Sequence, residues 1–465
     1  MVVDSSGECP AKNRRTLQLA TGMGSAIAPF LVASMFVAAP TIGVDLHADL
    51  ATLAWLTAAF FLVAASLLIP FGHIADLKGV KKVFTLGMGV YAISGAICVL
   101  APTFEVLIIG RALTGIGAAM VFGTSIALLS LAFTDQDRSK AVGLNVTCMF
   151  AGFTGGLLLG GLLTYYLSWR YLFLFPVFIA PMVIVLLLTR VKEECTPTQE
   201  GGLDVPGMML ITISLLLIFY GLSEITNTVG LASILAGAVS ALVLVWWERR
   251  SVHPLVRRSI SRNRGYLMAL ASNVLFQAGA FAVPFLLSFY FQLVLGLDAR
   301  TAGITLLLPQ VLMVGLGLAS GRLISRLGNR AILMIGAAIN AVGVLVLLTV
   351  RVDTPIYVPI FALALVGIAS GMYMPALVGW ALGKVQRPDV GLASALTETS
   401  RLLGMTFSNM IMIVAFSLVL GTVSIAQATD AGFVEAVRAC SIGYLIFTFI
   451  CMVPPLLDPK PSSSR

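Results

Sequence analysis

Fourteen apolar stretches of roughly 17–25 residues recur along this chain, each long enough to cross a ~30 Å hydrocarbon core as a helix. Hydrocarbon offers a peptide group no hydrogen bond, so an open chain in lipid satisfies its backbone only as helices. The stretches fall at 18–43, 54–74, 83–101, 106–129, 141–167, 171–191, 207–225, 229–247, 266–295, 304–324, 331–349, 357–379, 393–421 and 433–454. Composition points the same way: 58% of residues are hydrophobic and 11% charged, where a soluble domain carries about 25% charge. The fold class is all-α integral membrane, with fourteen transmembrane helices and no sizeable soluble domain.

The basic residues set the orientation. With the N-terminus in the cytoplasm, 23 of the 29 Lys and Arg fall in inward segments. Arg170, Arg300, Arg351 and Arg438 fall outside, and Arg111 and Arg401 lie within stretches. Such an excess marks the cytoplasmic side, so both termini are expected there. The net charge of +8 is thereby a topology signal and not a nucleic-acid footprint. The densest basic loop, Arg249 to Arg264, reads the same way, with anionic lipid as a second reading. The polar start runs directly into an apolar segment too long for a signal-peptide core, so an uncleaved first helix is expected. Cys9, Cys98, Cys148, Cys195, Cys440 and Cys451 show no paired spacing, and neither a metal site nor a disulfide framework is signalled. The chain has no phosphate-binding loop of the Gly-x-x-x-x-Gly-Lys-Ser/Thr kind, which argues against ATP-driven pumping. No cofactor is expected.

One segment occurs twice. After the second stretch comes Gly72-His-Ile-Ala-Asp76-Leu-Lys-Gly79 with Lys81 and Lys82 behind it; after the tenth comes Gly321-Arg-Leu-Ile-Ser325-Arg-Leu-Gly328 with Arg330 behind it. Both read as tight turns in which glycine supplies close approach and positive φ. Two copies eight stretches apart imply a duplicated six-helix unit with two helices between the copies. Repeats of this kind characterise secondary transporters, whose substrate site lies at the repeat interface. The expected domains are 1–192 (N-terminal six-helix bundle), 193–264 (linker, central helix pair and basic loop) and 265–465 (C-terminal six-helix bundle).

On these residues the chain resembles the major facilitator superfamily, and within it the 14-span drug:proton antiporter branch. Gly72 to Lys82 resembles the superfamily's loop motif, with Leu77 in place of Arg. Arg111 to Ala119 resembles its fourth-span motif, with Thr114 in place of Gln, and Gly152-x-x-x-Gly156-Leu157-x-x-Gly160-Gly161 its antiporter motif, with Leu157 in place of Pro. Trp169 to Phe173, Leu203 to Gly207, and Tyr290-Phe291-Gln292 with Gly296 and Ala302-Gly303 resemble the branch's later signatures. The first stretch departs from it: aligned on Pro40, Leu31 and Phe36 stand where the branch has Asp and Asn, which removes a carboxylate associated with cation and proton chemistry.

Several residues are candidates for function. The stripe Gly152, Gly156 and Gly160, with Gly161, provides a surface for close helix approach. Gly72, Asp76 and Gly79 form a candidate gate; Asp76 suits a helix N-terminus, the resemblance suggests that of the thirteenth span, and Arg138 is a possible neighbour in the same charge cluster. Arg111 is either a functional intramembrane charge or an arginine snorkelling or packing near the outer end, six residues from Glu105; the resemblance implies proton transfer or binding. Glu398 and Arg401 share a helix face and are candidates for coupling, with Glu224 a weaker one. Among the polar residues within stretches, Asn145 and Gln277 lead Thr147, Asn273, Gln292, Asn340 and Asn409 as cavity-lining candidates.

The expected protein is a secondary active transporter in the cell membrane, working by alternating access as a monomer. Its expected partners are a small-molecule substrate, protons and the lipid bilayer. Efflux of lipophilic compounds is the leading expectation, and uptake or facilitated passage of a neutral or anionic metabolite the alternative. A polytopic receptor or membrane enzyme is disfavoured by short loops and by the lack of clustered His, Asp or Cys. Reporter fusions after Asp204 and after Arg262 should both read cytoplasmic; an outside reading at either site overturns the topology.

Overall fold

The computed structural model describes residues 14–133, 135–191, 204–225, 227–251, 258–386, 389–421 and 429–458. Arg257 of the basic loop and Leu203 of the Leu203–Gly207 motif lie outside the described residues. Among the described residues there are helices and no β-strand, and fourteen helices are long and apolar enough to cross a membrane. They are α1 (Arg14–Asp45), α2 (Trp55–Lys78), α3 (Val80–Val99), α4 (Phe104–Ala132), α5 (Lys140–Tyr166), α6 (Trp169–Arg190), α7 (Val205–Ser223), α8 (Thr228–Arg250), α9 (Arg264–Val294), α10 and α11, α12 (Tyr357–Leu382), α13 (Gly391–Val419) and α14 (Asp430–Leu457). α10 (Ala299–Gly317) and α11 (Ala319–Leu347) share the helical stretch Leu307–Leu347, which kinks at Gly328. The all-α architecture and the number of spans agree with the sequence. The first helix begins a turn earlier than the apolar stretch does, at Arg14. Prolines sit inside α1 (Pro29, Pro40), α2 (Pro70), α6 (Pro181) and α12 (Pro375), which membrane helices tolerate when neighbours re-satisfy the freed backbone groups.

By its contacts the chain divides into two units. The first comprises Met1–Ala48, Trp55–Leu255 and Asp298–Gly303; the second comprises Asp49–Ala54, Val256–Leu297 and Ile304–Arg465. The helix pair α7–α8 falls in the first.

Within the first unit α1 packs along α5, and α4 packs against both α2 and α3. α4 allows this because it is bare on two sides: a Cβ on Gly115 would lie 2.6 Å from the Phe60 carbonyl oxygen of α2, and one on Gly117 2.9 Å from the Tyr91 ring of α3. Lipid supplies no hydrophobic force between helices, so close van der Waals contact at small residues holds them together. The α7–α8 hairpin is closed by Asp204. Its buried carboxylate caps α7 at the Gly207 amide (3.0 Å) and accepts from the Trp247 indole N–H of α8 (2.8 Å). Glycines 221, 230 and 237 and a Ser214–Ser240 hydrogen bond of 2.9 Å close the rest of the seam. The Leu203–Gly207 signature is therefore, at Asp204, a hairpin clasp.

Within the second unit α9 is interrupted. Regular α-helix ends at Ala280 and resumes at Val283, and the chain ends the span in a π-helical turn, Tyr290–Val294. Pro284 has no N–H to give, and the displaced polar groups find side chains from other helices. The Ala282 amide donates to Ser408 Oγ (2.9 Å), and Asn340 Nδ2 donates to the Gly279 carbonyl (3.2 Å) and to Thr448 Oγ1 (2.9 Å). Asn340 therefore repairs the backbone break instead of lining a cavity. Asn273 bridges to α13, through the Thr397 carbonyl (3.0 Å) and Ser400 Oγ (2.8 Å), and Asn409 donates within its own helix to the Met405 carbonyl (2.8 Å).

The duplicated turn is present in both units. Gly79 has φ 108° and Gly328 φ 80°, conformations that only glycine adopts without strain. The first glycine of each copy behaves otherwise. A Cβ on Gly72 or Gly321 would meet nothing within 4 Å, and neither residue has positive φ, so the expectation of positive φ is not met at these two; α4 does approach the Gly72 backbone, where a Cβ on Gly123 would lie 3.4 Å from its amide nitrogen. In the first copy Lys81 donates its ammonium to the Val191 carbonyl at the end of α6, where a cation also complements the helix dipole. Gly79→Ala and Gly328→Ala should each destabilise the protein by about 1–3 kcal/mol, whereas Gly72→Ala and Gly321→Ala should leave the unfolding midpoint in detergent nearly unchanged.

Candidate functional site

The glycine stripe of α5 faces α1. A Cβ on Gly152 would strike the Ala26 carbonyl, one on Gly156 the Phe30 carbonyl, and one on Gly160 would lie 2.9 Å from Ser34 Cα. Positions 26, 30 and 34 advance by four, as 152, 156 and 160 do, so two smooth ridges run alongside each other with backbone in contact. Gly161 looks elsewhere, towards the Ala299 carbonyl oxygen at 2.7 Å, and belongs to a second contact. Aromatic pairs flank the seam: Phe30 stacks on Phe175 at 4.2 Å, and Phe36 meets Phe153 edge-on at 5.9 Å. Leu31 and Phe36, in the places of the branch's polar residues, are buried. That part of α1 is apolar core.

Arg111 does not snorkel. It is fully buried, held by an Nε–H bond to the Leu56 carbonyl oxygen of α2 (2.8 Å), with its guanidinium carbon 5.2 Å from the Phe60 ring. Nη1 and Nη2 are buried without a hydrogen-bond partner, and so is the hydroxyl of Tyr91 on α3. The tight α4–α3 seam encloses them: Thr114 Oγ1 donates to Ser94 Oγ (3.2 Å), and a Cβ on Gly110 would lie 2.5 Å from Cys98 Sγ. An arginine buried in a membrane-crossing helix without a charged partner is costly, so this position carries an energetic penalty. Glu105 is exposed and is not a partner.

The charged turn is sparser than expected. Asp76 is half-buried near the end of α2 and makes no hydrogen bond or ion pair with a described residue. Arg138 is exposed and pairs neither with Asp76 nor with another described residue; it sits in the first turn of the helix Asp135–Tyr166, whose spanning part is α5, where Lys140 and Asp137 pair at the surface (3.5 Å). The expected Asp76–Arg138 cluster is thus not formed. Asn145 is buried with Oδ1 unpartnered. Thr147 bonds back to the Gly143 carbonyl (3.0 Å). Glu224 caps the end of α7 and accepts from Asn227 (2.6 Å) in an exposed turn, a local structural role.

In the second unit Glu398 and Arg401 form a two-pronged pair. Arg401 Nε donates to Glu398 Oε2 (2.9 Å) and Nη2 to Oε1. Their side chains are 31% and 29% exposed. The face beside them is anchored to α9 by Asn273 and by the Tyr266 hydroxyl, which donates to the Ala393 carbonyl (2.6 Å). Gln277 is buried, lies on the same α9 and packs against Gly404, whose absent side chain leaves it room. Gln292 bonds Ser288 of its own helix (3.0 Å).

Two clasps were not anticipated as such. Asp45 accepts from Trp169 Nε1 (3.0 Å) and Arg170 Nη1 (2.7 Å), with Arg170 over the Trp169 ring at 4.3 Å. Asp458 accepts from Trp380 Nε1 (2.9 Å) and pairs with Lys384 (2.8 Å). The Trp-Arg dipeptide was the only sequence signal for the first. Among the described residues no group of three or more His, Cys, Asp or Glu is placed to hold a metal.

A family model described as Major Facilitator Superfamily matches residues 21–409. The lincomycin resistance protein of Streptomyces lincolnensis is 29% identical over 387 residues, covering 79% of this chain and 77% of its own. The riboflavin transporter RibZ of Clostridioides difficile is 24% identical over 340 residues, covering 72% and 74%. The crystal structure of the nucleoside transporter NupG matches with a TM-score of 0.66 at 14% identity, over 94% of this chain and 99% of that one, a likeness of fold.

The α1–α5 seam generates a mutational test. Gly156→Leu drives a side chain into the Phe30 carbonyl, and overpacking of this kind costs about 1–3 kcal/mol. Transport should be lost while membrane insertion, read by fluorescence-detected size exclusion, is largely kept; normal transport by this variant removes the seam from the mechanism.

Proposed function

This chain belongs to the major facilitator superfamily, and we propose that it is a proton-coupled exporter of lipophilic small molecules working by alternating access. It is a multi-pass membrane transporter and not an enzyme. The observation that carries the finer reading is the Glu398–Arg401 pair, a part-exposed carboxylate and its counter-charge within the membrane-crossing helix α13. Together the two are close to neutral, which makes both tolerable in the membrane. A proton arriving on Glu398 removes the charge that holds Arg401, and its departure restores the pair, so proton occupancy and the local arrangement of α13 are linked. The name of the lincomycin resistance relative supports export.

In this reading residues 1–192 and 265–465 are the two halves that alternate, with 193–264 the central insertion. Gly152, Gly156, Gly160 and Gly161 are the packing surfaces on which α5 moves, and Gly72, Asp76, Gly79 and Arg138 lie at the cytoplasmic gate. Asn145 and Gln277 supply polar contacts to substrate, while Arg111 contributes fixed charge for coupling or binding. The protein acts as a monomer in the cell membrane with both termini cytoplasmic. The apolar Leu31 and Phe36 favour a second reading, passage of a neutral or anionic metabolite, and the riboflavin transporter relative keeps it in view.

Proteoliposomes distinguish these. With a panel of lipophilic dyes and lincomycin, a pH gradient should drive movement of at least one compound by the wild type. Glu398→Gln should move the same compound down its own gradient while ignoring the pH gradient, and Arg401→Ala should slow both modes. Gradient-driven transport at full rate by Glu398→Gln overturns proton coupling through this pair.

A further inference from the structure

We infer that the enclosed region around Arg111 in the first unit is a binding site for a small monovalent anion. Arginine does not lose its proton in proteins, so the buried guanidinium is a permanent cation. The contacts it makes are too few for that charge. Nε has the Leu56 carbonyl, and the Phe60 ring offers a weak cation–π contact. Nη1 and Nη2, which carry four N–H donors, have no acceptor.

The surroundings do not neutralise it. Among the described residues no carboxylate is paired with Arg111, and α3 faces it across the seam with a phenol, Tyr91, and a thiol, Cys98. The Tyr91 hydroxyl is itself buried and unpartnered, which brings a third unsatisfied donor group to the same α3–α4 seam. The guanidinium nitrogens carry one unit of positive charge with no carboxylate paired to them among the described residues, and the phenol adds an unpaired donor on the same seam. What such a set recognises is an acceptor of charge −1 and small radius: a halide, or the carboxylate of a small organic acid. A dianion overcompensates the single charge, and a cation is repelled.

The proposal stands apart from proton-coupled export, because occupancy is read without transport. Purified full-length protein is unfolded thermally in sodium chloride, sodium acetate or sodium gluconate at constant ionic strength. A ligand that binds only the folded state raises the midpoint in a saturable, concentration-dependent way. The wild type should be stabilised by chloride or acetate relative to gluconate; a chloride-selective response assigns a halide, an acetate-selective one a carboxylate group. Arg111→Gln should lose the response, and Arg170→Gln, at the exposed Asp45 clasp, should keep it. Tyr91→Phe, which keeps the ring in the seam, should raise the half-saturating concentration about tenfold, the factor of one hydrogen bond to a charged group. Equal midpoints in the three salts, or an undiminished response in Tyr91→Phe and in any folded Arg111→Gln, overturns the site.

Discussion

Hydrocarbon gives a peptide group nothing to bond with, and most of what is seen here answers to that fact. It makes every crossing a helix, and it governs what the polar side chains do. Ser408, Asn340 and Asn273 are buried hydroxyls and amides that a pocket would welcome, yet two of them serve the interrupted backbone of α9 and the third pins α9 to α13. The same fact makes helix association depend on contact distance. Helices meet closely where glycine exposes backbone, as at Gly115 and Gly117 of α4 and along the α5 stripe.

Charge inside this protein is handled in two ways. The second unit sets Glu398 against Arg401 on one helix face, so the neutral arrangement is assembled by a single span and needs no other helix to complete it. The first unit places Arg111 deep between α2, α3 and α4 with a carbonyl and a ring for company. The first arrangement is local, two side chains three residues apart on α13. The second is fixed by packing and does not respond unless the seam itself separates.

The number of crossings, the duplicated turn and the α5 stripe were legible because each depends on spacing along the chain. Gly79 and Gly328 recur at matching places after their helices, and glycine at a turn has a short list of reasons to be there. Rotation of a helix about its axis is a different quantity. In a buried span apolar residues occur all round, so hydropathy gives depth and not direction. That is why the snorkelling alternative for Arg111 survived the sequence and fell to the structure, and why Arg138 looked like a neighbour of Asp76 when its helix turns it to the surface. Lys81 reaching the end of α6, and Asp45 gathering Trp169 and Arg170, link residues far apart in sequence by contacts that no local pattern encodes. The candidate pair Glu398–Arg401 was readable because its two members lie within one helical turn.

The α7–α8 hairpin carries a consequence for how its two helices stay paired. Its clasp, Asp204 with Trp247, and its seam, Ser214 with Ser240 and three glycines, are all internal to it. Its tie to α2 is a backbone carbonyl, Ser66 O, accepting from Thr212 (3.4 Å), and a carbonyl is available whatever side chain stands there. With only 11% of its apolar window buried, α8 faces its surroundings almost as a free-standing helix does. A segment built this way holds its two helices together by groups of its own, so the pairing of α7 with α8 does not depend on a side chain from elsewhere in the chain.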